Sequence, residues 1–127
     1  MALSGQEHLE VAPISAPPRE RVLDFLRAAF PLRSPQYFTH LDWHYRLGYD
    51  PASEPIVAVL PEGRVVGLAA AIPGRLRLDG AEHRANWYVD FAIAADLQRR
   101  GIGQALTQAW VTRCDTWLGQ PNERSIG

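Results

Sequence analysis

The feature that most constrains the fold is a hairpin signal in the middle of the chain. Asp79-Gly80, a dipeptide that favours the two-residue turns of β-hairpins, separates two strand-like runs at residues 65–78 and 83–94. A third run of this kind, rich in β-branched residues, covers residues 55–60. The three runs predict an antiparallel meander, in which Pro73-Gly74 should interrupt the middle strand with a bend or bulge.

Helical patterns flank this meander. Residues 7–14 predict a short first strand, and an amphipathic helix follows that ends at Pro31. A second helix is predicted over residues 34–48, with Ser34 as its N-cap. The order of strand, two helices, three strands and helix predicts an α+β (mixed α/β) fold, with helices packed on a strand meander.

The last predicted helix runs over residues 101–117. Its apolar residues recur at helical spacing and form one stripe, which includes Trp110, Trp117 and Cys114. Both tryptophans are therefore expected in the core. Cys114 is expected to be an inert buried thiol rather than a nucleophile.

Composition excludes several classes of protein. The 127 residues fit one domain, and a net charge of -1 implies no bulk attraction to nucleic acid or to acidic membranes. All 13 basic residues are arginine, which excludes a P-loop or Schiff-base lysine. One cysteine excludes an intrachain disulfide. With no signal peptide or membrane-length apolar run, a cytoplasmic protein is predicted.

The most informative segment for function is DFAIAADLQRRGIGQALTQAW, residues 90–110, where a strand runs into the last helix. The first amides of a helix have no intrahelical partner and lie at the positive end of its dipole, so this joint suits phosphate. Gly101 and Gly103 allow close approach, and Gln98, Arg99 and Arg100 add donors. The pattern indicates a site for a diphosphate ligand. The alternative is a solvated turn that carries surface charge.

Two common phosphate motifs do not fit this segment. In a dinucleotide fingerprint Leu106 would stand where the third glycine belongs, and a Walker loop needs a lysine. QRRGIG, residues 98–103, instead resembles the Q/R-x-x-G-x-G/A signature of GCN5-related N-acetyltransferases, the GNAT family. The predicted order of elements also matches that family over nearly the whole chain. The segments LDWHYRLGY and PNERSIG look closest to its uncharacterised acetyltransferase-like branch.

The resemblance implies that acetyl-CoA is the acyl donor. Backbone groups around Ala92, from Phe91 to Ile93, would pair with the pantetheine arm like an added strand. The pyrophosphate would be held by the segment that comprises Gln98, Arg99, Arg100, Gly101, Ile102, Gly103 and Gln104. An amide near Ile93 would stabilise the oxyanion. The acetyl group would pass directly to a primary amine of a small molecule or peptide.

The chain departs from the family at its C-terminal end. The family continues with a fourth helix, which usually carries a tyrosine that protonates the thiolate, and two more strands. No tyrosine follows Tyr88 here. We therefore weigh three expectations: a fragment of a longer domain, pairing with a second copy as a homodimer, or a module that binds acyl-CoA or a protein without turnover. A short fifth strand over residues 116–119, or a strand from a partner chain, should cover the open sheet edge.

The acceptor side of the site is less defined by sequence. Asp90 lies in the strand just before the expected thioester position and is either the general base or a hydrogen-bonded strand-end residue. His40 and His44 stand at i and i+4, but without a third ligand a metal is not expected. They are predicted to line the acceptor pocket or to be exposed. Trp87 and Tyr88 alternate along the strand, so one should face the core and the other should face the acceptor. Tyr88 is the residue predicted to face the acceptor.

Overall fold

The protein was analysed as a computed structural model that describes residues 9–50, 53–112 and the strand 117–118. Five strands form one sheet in the order β1-β2-β3-β4-β5. The strands are β1 (Glu10–Pro13), β2 (Ile56–Val59), β3 (Val65–Leu78), β4 (Ala81–Ile93) and β5 (Trp117–Leu118). The helices are α1 (Arg19–Ala29), α2 (Pro35–Thr39), α3 (Leu41–His44) and α4 (Ile102–Val111). Strands β1 to β4 pair antiparallel, and β5 pairs parallel with β4. The predicted α+β fold is confirmed.

The β3–β4 hairpin turns where the sequence predicts it. Asp79 and Gly80 both have positive φ, at 50° and 78°, as the tight turns of hairpins require. The expected interruption at Pro73-Gly74 is wrong, because Pro73 stays in register opposite Asn86. The alternation of β3 places the Pro73 nitrogen on the side away from β4, so its missing N–H costs no bond between these two strands.

The irregularity of this hairpin lies in β4 instead. The register shifts between Ala70 and Ala71, whose partners are Asp90 and Tyr88, so Val89 is an extra residue in β4. A bulge of this kind reverses which face the following side chains occupy. Asp90 consequently points to one face of the sheet, while Tyr88 and Phe91 share the other.

The predicted second helix is two short helices. His40, with φ -110° and ψ 39°, ends α2 and precedes α3. The segment from Tyr37 to Tyr45 is rich in aromatic residues, histidine, threonine and aspartate, which favour a continuous helix only weakly. Tyr37, Leu41 and Tyr45 are nevertheless buried in the core.

The last helix is shorter than its apolar stripe predicts. Helix α4 ends at Val111, and Trp117 lies in β5, so the prediction of a helix to residue 117 is wrong. The short fifth strand is confirmed, because β5 pairs with Asn86 and Trp87 of β4. Trp110 is fully buried, as expected. Cys114 lies outside the described residues.

The sheet separates two apolar layers. Helices α1 to α3 cover one face, where Val22, Leu26 and Leu41 pack on β2 and β3. Helix α4 covers the other face through Ile102, Leu106 and Trp110. Gly67 lets α4 approach closely: a Cβ there would lie 2.9 Å from the Leu106 side chain and 3.2 Å from that of Ile93. This close packing fixes the start of α4 beside the end of β4.

Candidate functional site

The segment between β4 and α4 exposes helix amides. After β4 the chain makes a 3-10 turn over Ala95–Leu97 and enters α4 through Gly101, which has a left-handed φ of 85°. Arg99 also has a positive φ, 68°. Gly101 offers no side-chain cap, and the first helical bond returns from the Ala105 N–H to the Gly101 carbonyl. The amides of the first turn therefore point out of the helix without an intrahelical partner, at the positive end of its dipole.

Within the described part of the chain, the end of β4 has an open edge on the side away from β3. The Ala94 N–H donates to the Val66 carbonyl at 2.8 Å, so the backbone groups of Ala94 and Ala92 face β3. Alternation then turns the N–H and carbonyl groups of Phe91 and Ile93 away from β3. Strand β5 pairs with β4 only at residues 86 and 87. The side-chain amide of Gln98 donates a hydrogen bond to the Ile93 carbonyl at 3.3 Å.

A cleft of about 1310 Å³ lies between α1 and this segment. It is lined by residues of α1, of the end of β4 and of the start of α4. Eight of the residues predicted to bind the donor line this cleft: Phe91, Ala92, Ile93, Gln98, Arg99, Gly101, Gly103 and Gln104. Two predicted residues do not line the cleft. The side chain of Ile102 is buried under α4, and that of Arg100 is exposed.

The cleft carries more arginines than sequence reasoning found. Arg21 of α1 and Arg64 of the β2–β3 turn line it together with Arg99. Arg64 binds both carboxylate oxygens of Asp96, at 3.0 and 2.8 Å. This pair lowers the pKa of Asp96 and raises that of Arg64. The two arginines come from elements distant in sequence, so no local motif could have indicated them.

The two motif glycines have different surroundings. Gly101 supplies the left-handed turn into α4. A Cβ at Gly103 would meet the ring of Phe91 at 3.4 Å. This distance is that of an ordinary van der Waals contact, so the first turn of α4 lies against Phe91, and its amides lie next to the open edge of β4.

Asp90 lies in a network of buried polar groups. It is 7% exposed, and Arg33 binds both of its carboxylate oxygens, at 2.6 and 3.0 Å. The Tyr45 hydroxyl donates to Oδ2 at 2.7 Å and lies 2.5 Å from the Tyr37 hydroxyl. The hydrogen bond to Asp90 raises the pKa of Arg33, and burial raises the pKa of both Tyr45 and Tyr37. Asp90 as the general base stays a prediction.

The two histidines share a second pocket, of about 610 Å³, which is lined by Arg33, Ser34, Gln36, Tyr37, His40, Trp43 and His44. His44 Nε2 lies 3.7 Å from Asp90 Oδ2, whereas His40 is exposed. The guanidinium of Arg33 stacks 4.0 Å from the ring centroid of Phe30, which lines the first cleft. The Arg33–Phe30 stack therefore stands between the two pockets.

Tyr88 does not join the histidines. It packs in the cluster under α4, with its ring centroid 6.1 Å from that of Phe91. Because Val89 is extra in β4, Tyr88 faces the opposite side of the sheet from Asp90 and His44. Burial raises the pKa of Tyr88 to about 12.

Replacing Tyr45 with Phe tests the polar network. The Tyr45→Phe variant is expected to lose about 1–3 kcal/mol of unfolding free energy, because the buried Asp90 and Tyr37 oxygens both lose a partner. Denaturant unfolding measures this loss. Tyr49→Phe, at a residue 74% exposed, is the control and should unfold like wild type. Equal stability of both variants would show that the Tyr45 hydroxyl contributes nothing.

Within the described part of the chain, no group of three or more histidine, cysteine or acidic side chains is placed to hold a metal ion. None of the described helices has the length and apolarity needed to cross a membrane.

Solved structures of acetyltransferases share this fold. An acetyltransferase from Trypanosoma brucei matches with a TM-score of 0.62 and 20% identity, over 93% of this chain and 84% of the other. The aminoglycoside N-acetyltransferase AAC(6')-Iy, bound to a CoA bisubstrate analogue, matches with a TM-score of 0.70 and 12% identity, over 94% of this chain and 83% of the other. Glucosamine-6-phosphate N-acetyltransferase from Arabidopsis thaliana matches with a TM-score of 0.67 and 8% identity, over 91% of this chain and 84% of the other. A search of curated proteins found no match.

The chain thus has the fold of these acetyltransferases, with a strand-to-helix joint beside an open strand edge. The model of the acetyltransferase (GNAT) family matches residues 19–126. The chain belongs to the GNAT family.

Proposed function

We propose that this protein binds acetyl-CoA in the cleft beside α4 and transfers the acetyl group to a primary amine of a small molecule or peptide. The observation that carries the proposal is the uncapped first turn of α4 next to the outward-facing backbone of Phe91 and Ile93. A single extended ligand with phosphates at one end and amide groups along its arm matches both features. Two of the structural neighbours are complexes with CoA or a CoA analogue.

The pyrophosphate would lie at the amides of residues 101–104. Helix amides and the left-handed entry at Gly101 supply donors in fixed positions, and the Arg99 guanidinium lines the same cleft. Charge-assisted hydrogen bonds from arginine to phosphate are about twice as strong as neutral ones. Arg100, which is exposed, would add to the local positive charge rather than reach into the cleft.

The pantetheine arm would extend β4 as a further strand. The outward N–H and carbonyl groups of Phe91 and the N–H of Ile93 are available on the correct edge. The Ile93 carbonyl already accepts a hydrogen bond from the side-chain amide of Gln98, and this side chain would have to move if the arm used that carbonyl. With the Ile93 N–H used by the arm, the oxyanion contact predicted for Ile93 would pass to a main-chain amide near the Val89 bulge, beside the thioester.

The acceptor would enter by the pocket of His40 and His44. This pocket adjoins Asp90, which directly precedes Phe91 in β4. The acceptor nitrogen would attack the thioester carbonyl directly, without a covalent enzyme intermediate. Tyr88, on the other face of the sheet, packs under α4 and does not line this pocket.

Calorimetry with acetyl-CoA tests the donor site. We expect saturable one-to-one binding that desulfo analogues without the thioester retain, because the phosphates and the arm supply the contacts. Absence of any heat of binding up to millimolar acetyl-CoA would refute the proposal. S-acetylpantetheine, which lacks both phosphates of the pyrophosphate, is the matched ligand and should bind far more weakly.

The second candidate function is acyl-CoA binding without turnover. It is favoured by the surroundings of Asp90, because Arg33 already binds both of its carboxylate oxygens and the Tyr45 hydroxyl binds one of them. An assay of CoA thiol release over a panel of amines separates the two candidates. Steady release that depends on the amine supports the transferase, and acetyl-CoA binding without release supports the binding module.

A further inference from the structure

The oxygens of Asp90 are already engaged by three donors. Arg33 uses both of them, and the Tyr45 hydroxyl adds a third bond to Oδ2. The side chain is 7% exposed. A general base needs a lone pair that can reach the substrate nitrogen. Asp90 would have to give up a bond to Tyr45 or Arg33 to provide one.

His44 lies beside this carboxylate and reaches the acceptor pocket. Its Nε2 atom is 3.7 Å from Asp90 Oδ2, and its side chain is 36% exposed. The imidazole ring makes edge contacts with Tyr37 and Tyr45, with centroids 4.9 and 4.6 Å apart. The ring is thus held in one orientation between aromatic neighbours, with part of its surface open to the pocket.

We infer that His44, positioned by Asp90, is the group that accepts the proton from the acceptor amine. This inference rests on the proposed acetyl transfer. Asp90 then acts through His44 as a positioning residue, and Arg33 and Tyr45 hold Asp90 in place.

The proton balance of the transfer is complete with this residue. The neutral amine attacks the thioester carbon, so that a C–N bond forms and the nitrogen becomes positively charged. The nitrogen passes one proton to His44. The tetrahedral intermediate then breaks its C–S bond and releases the CoA thiolate. The proton held by His44 is the one that the thiolate requires, delivered directly or through solvent, and the imidazole returns to its neutral form.

The surroundings of His44 favour the neutral imidazole. Burial lowers its pKa from the ordinary value, the guanidiniums of Arg33 and Arg46 lower it further, and Asp90 partly offsets them. Tyr37 and Tyr45, whose own pKa values are raised, stay neutral beside it. The exposed His40 is the other histidine that lines the pocket. A base with a lowered pKa is unprotonated at neutral pH and loses activity only as the pH falls through that lowered pKa.

The test measures the pH dependence of acetyl transfer with three probe amines: tryptamine, glucosamine and glycylglycine. His44→Gln should lower kcat/KM about 100-fold or more at pH 7.5 and remove the acid limb of the profile. Asp90→Asn should retain a limb but move it to lower pH, because the carboxylate that raises the pKa of His44 is gone. His83→Gln, at an exposed histidine of the β3–β4 hairpin, is the control and should keep both rate and profile.

An independent readout does not need turnover. Imidazole resonances followed by NMR should titrate His44 below the ordinary histidine range in wild type, and lower still in Asp90→Asn. An acid limb that survives in His44→Gln would overturn the inference, as would acetyl-CoA binding with no acetylation of any probe amine. If acetyl-CoA does not bind at all, the proposed function fails first. Circular dichroism of each variant shows that a lost rate is not lost folding.

Discussion

Acetyl-CoA should bind about 100-fold more weakly, or worse, when Arg99 and Arg100 are both replaced by glutamate. Each guanidinium that contacts phosphate contributes about 1.5–3 kcal/mol through a charge-assisted hydrogen bond, and carboxylates in its place repel the ligand. A loss of about 3 kcal/mol corresponds to that factor. Calorimetry at fixed ionic strength measures it, since exposed charges are screened by salt.

The single variants separate the two arginines. Arg99 lines the cleft and has a left-handed backbone, whereas Arg100 does not line the cleft. Arg99→Glu should therefore cost more affinity than Arg100→Glu. The control makes the same change of charge on the β3–β4 hairpin, with Arg75 and Arg77 both replaced by glutamate. If the motif and hairpin variants bind acetyl-CoA equally well, the phosphate site does not lie at this joint.

The free energy of unfolding should fall by about 2–5 kcal/mol when Leu106 is replaced by alanine, as for other large-to-small changes in a packed core. Leu106 is fully buried between α4 and the sheet, where Gly67 lets the two approach closely. Little can collapse into the space, because the backbone of β3 lies directly beneath. For a chain of this length the loss corresponds to a fall in Tm of roughly 10 °C.

Val111→Ala is the matched control for this prediction. Val111 lies in the same helix but is 47% exposed, so its truncation should change the unfolding free energy by less than about 1 kcal/mol. Thermal and denaturant unfolding of the two variants measure the difference. A Leu106→Ala protein as stable as Val111→Ala would contradict the packing of α4 on the sheet.

The elements that sequence predicted best are those whose signals are local. The Asp79-Gly80 turn needs only two residues that tolerate positive φ, and both adopt it. The start of α4 follows from Gly101 and the apolar period after it. These signals placed the hairpin, the joint after β4 and the donor-site residues that line the cleft, because each depends on neighbours in the chain.

The features that the sequence did not predict depend on contacts between residues that are far apart in the chain. Arg33 and Asp90 are 57 residues apart in the sequence and become partners only when the folded chain brings them together. The extra residue Val89 turns Tyr88 to the face opposite Asp90, a reversal that strict alternation along a strand cannot predict. The break at His40 and the end of α4 at Val111 were likewise hidden by apolar patterns that continue past them.

Amide NMR shifts during an acetyl-CoA titration test the central claim most directly. If main-chain N–H groups at the start of α4 hold the pyrophosphate, the largest shifts should fall on residues 101–104, with a second group at Phe91 and Ile93. S-acetylpantetheine should reproduce only the second group. Saturating acetyl-CoA that leaves the amides of residues 101–104 unshifted, or that shifts a different surface, would contradict the account.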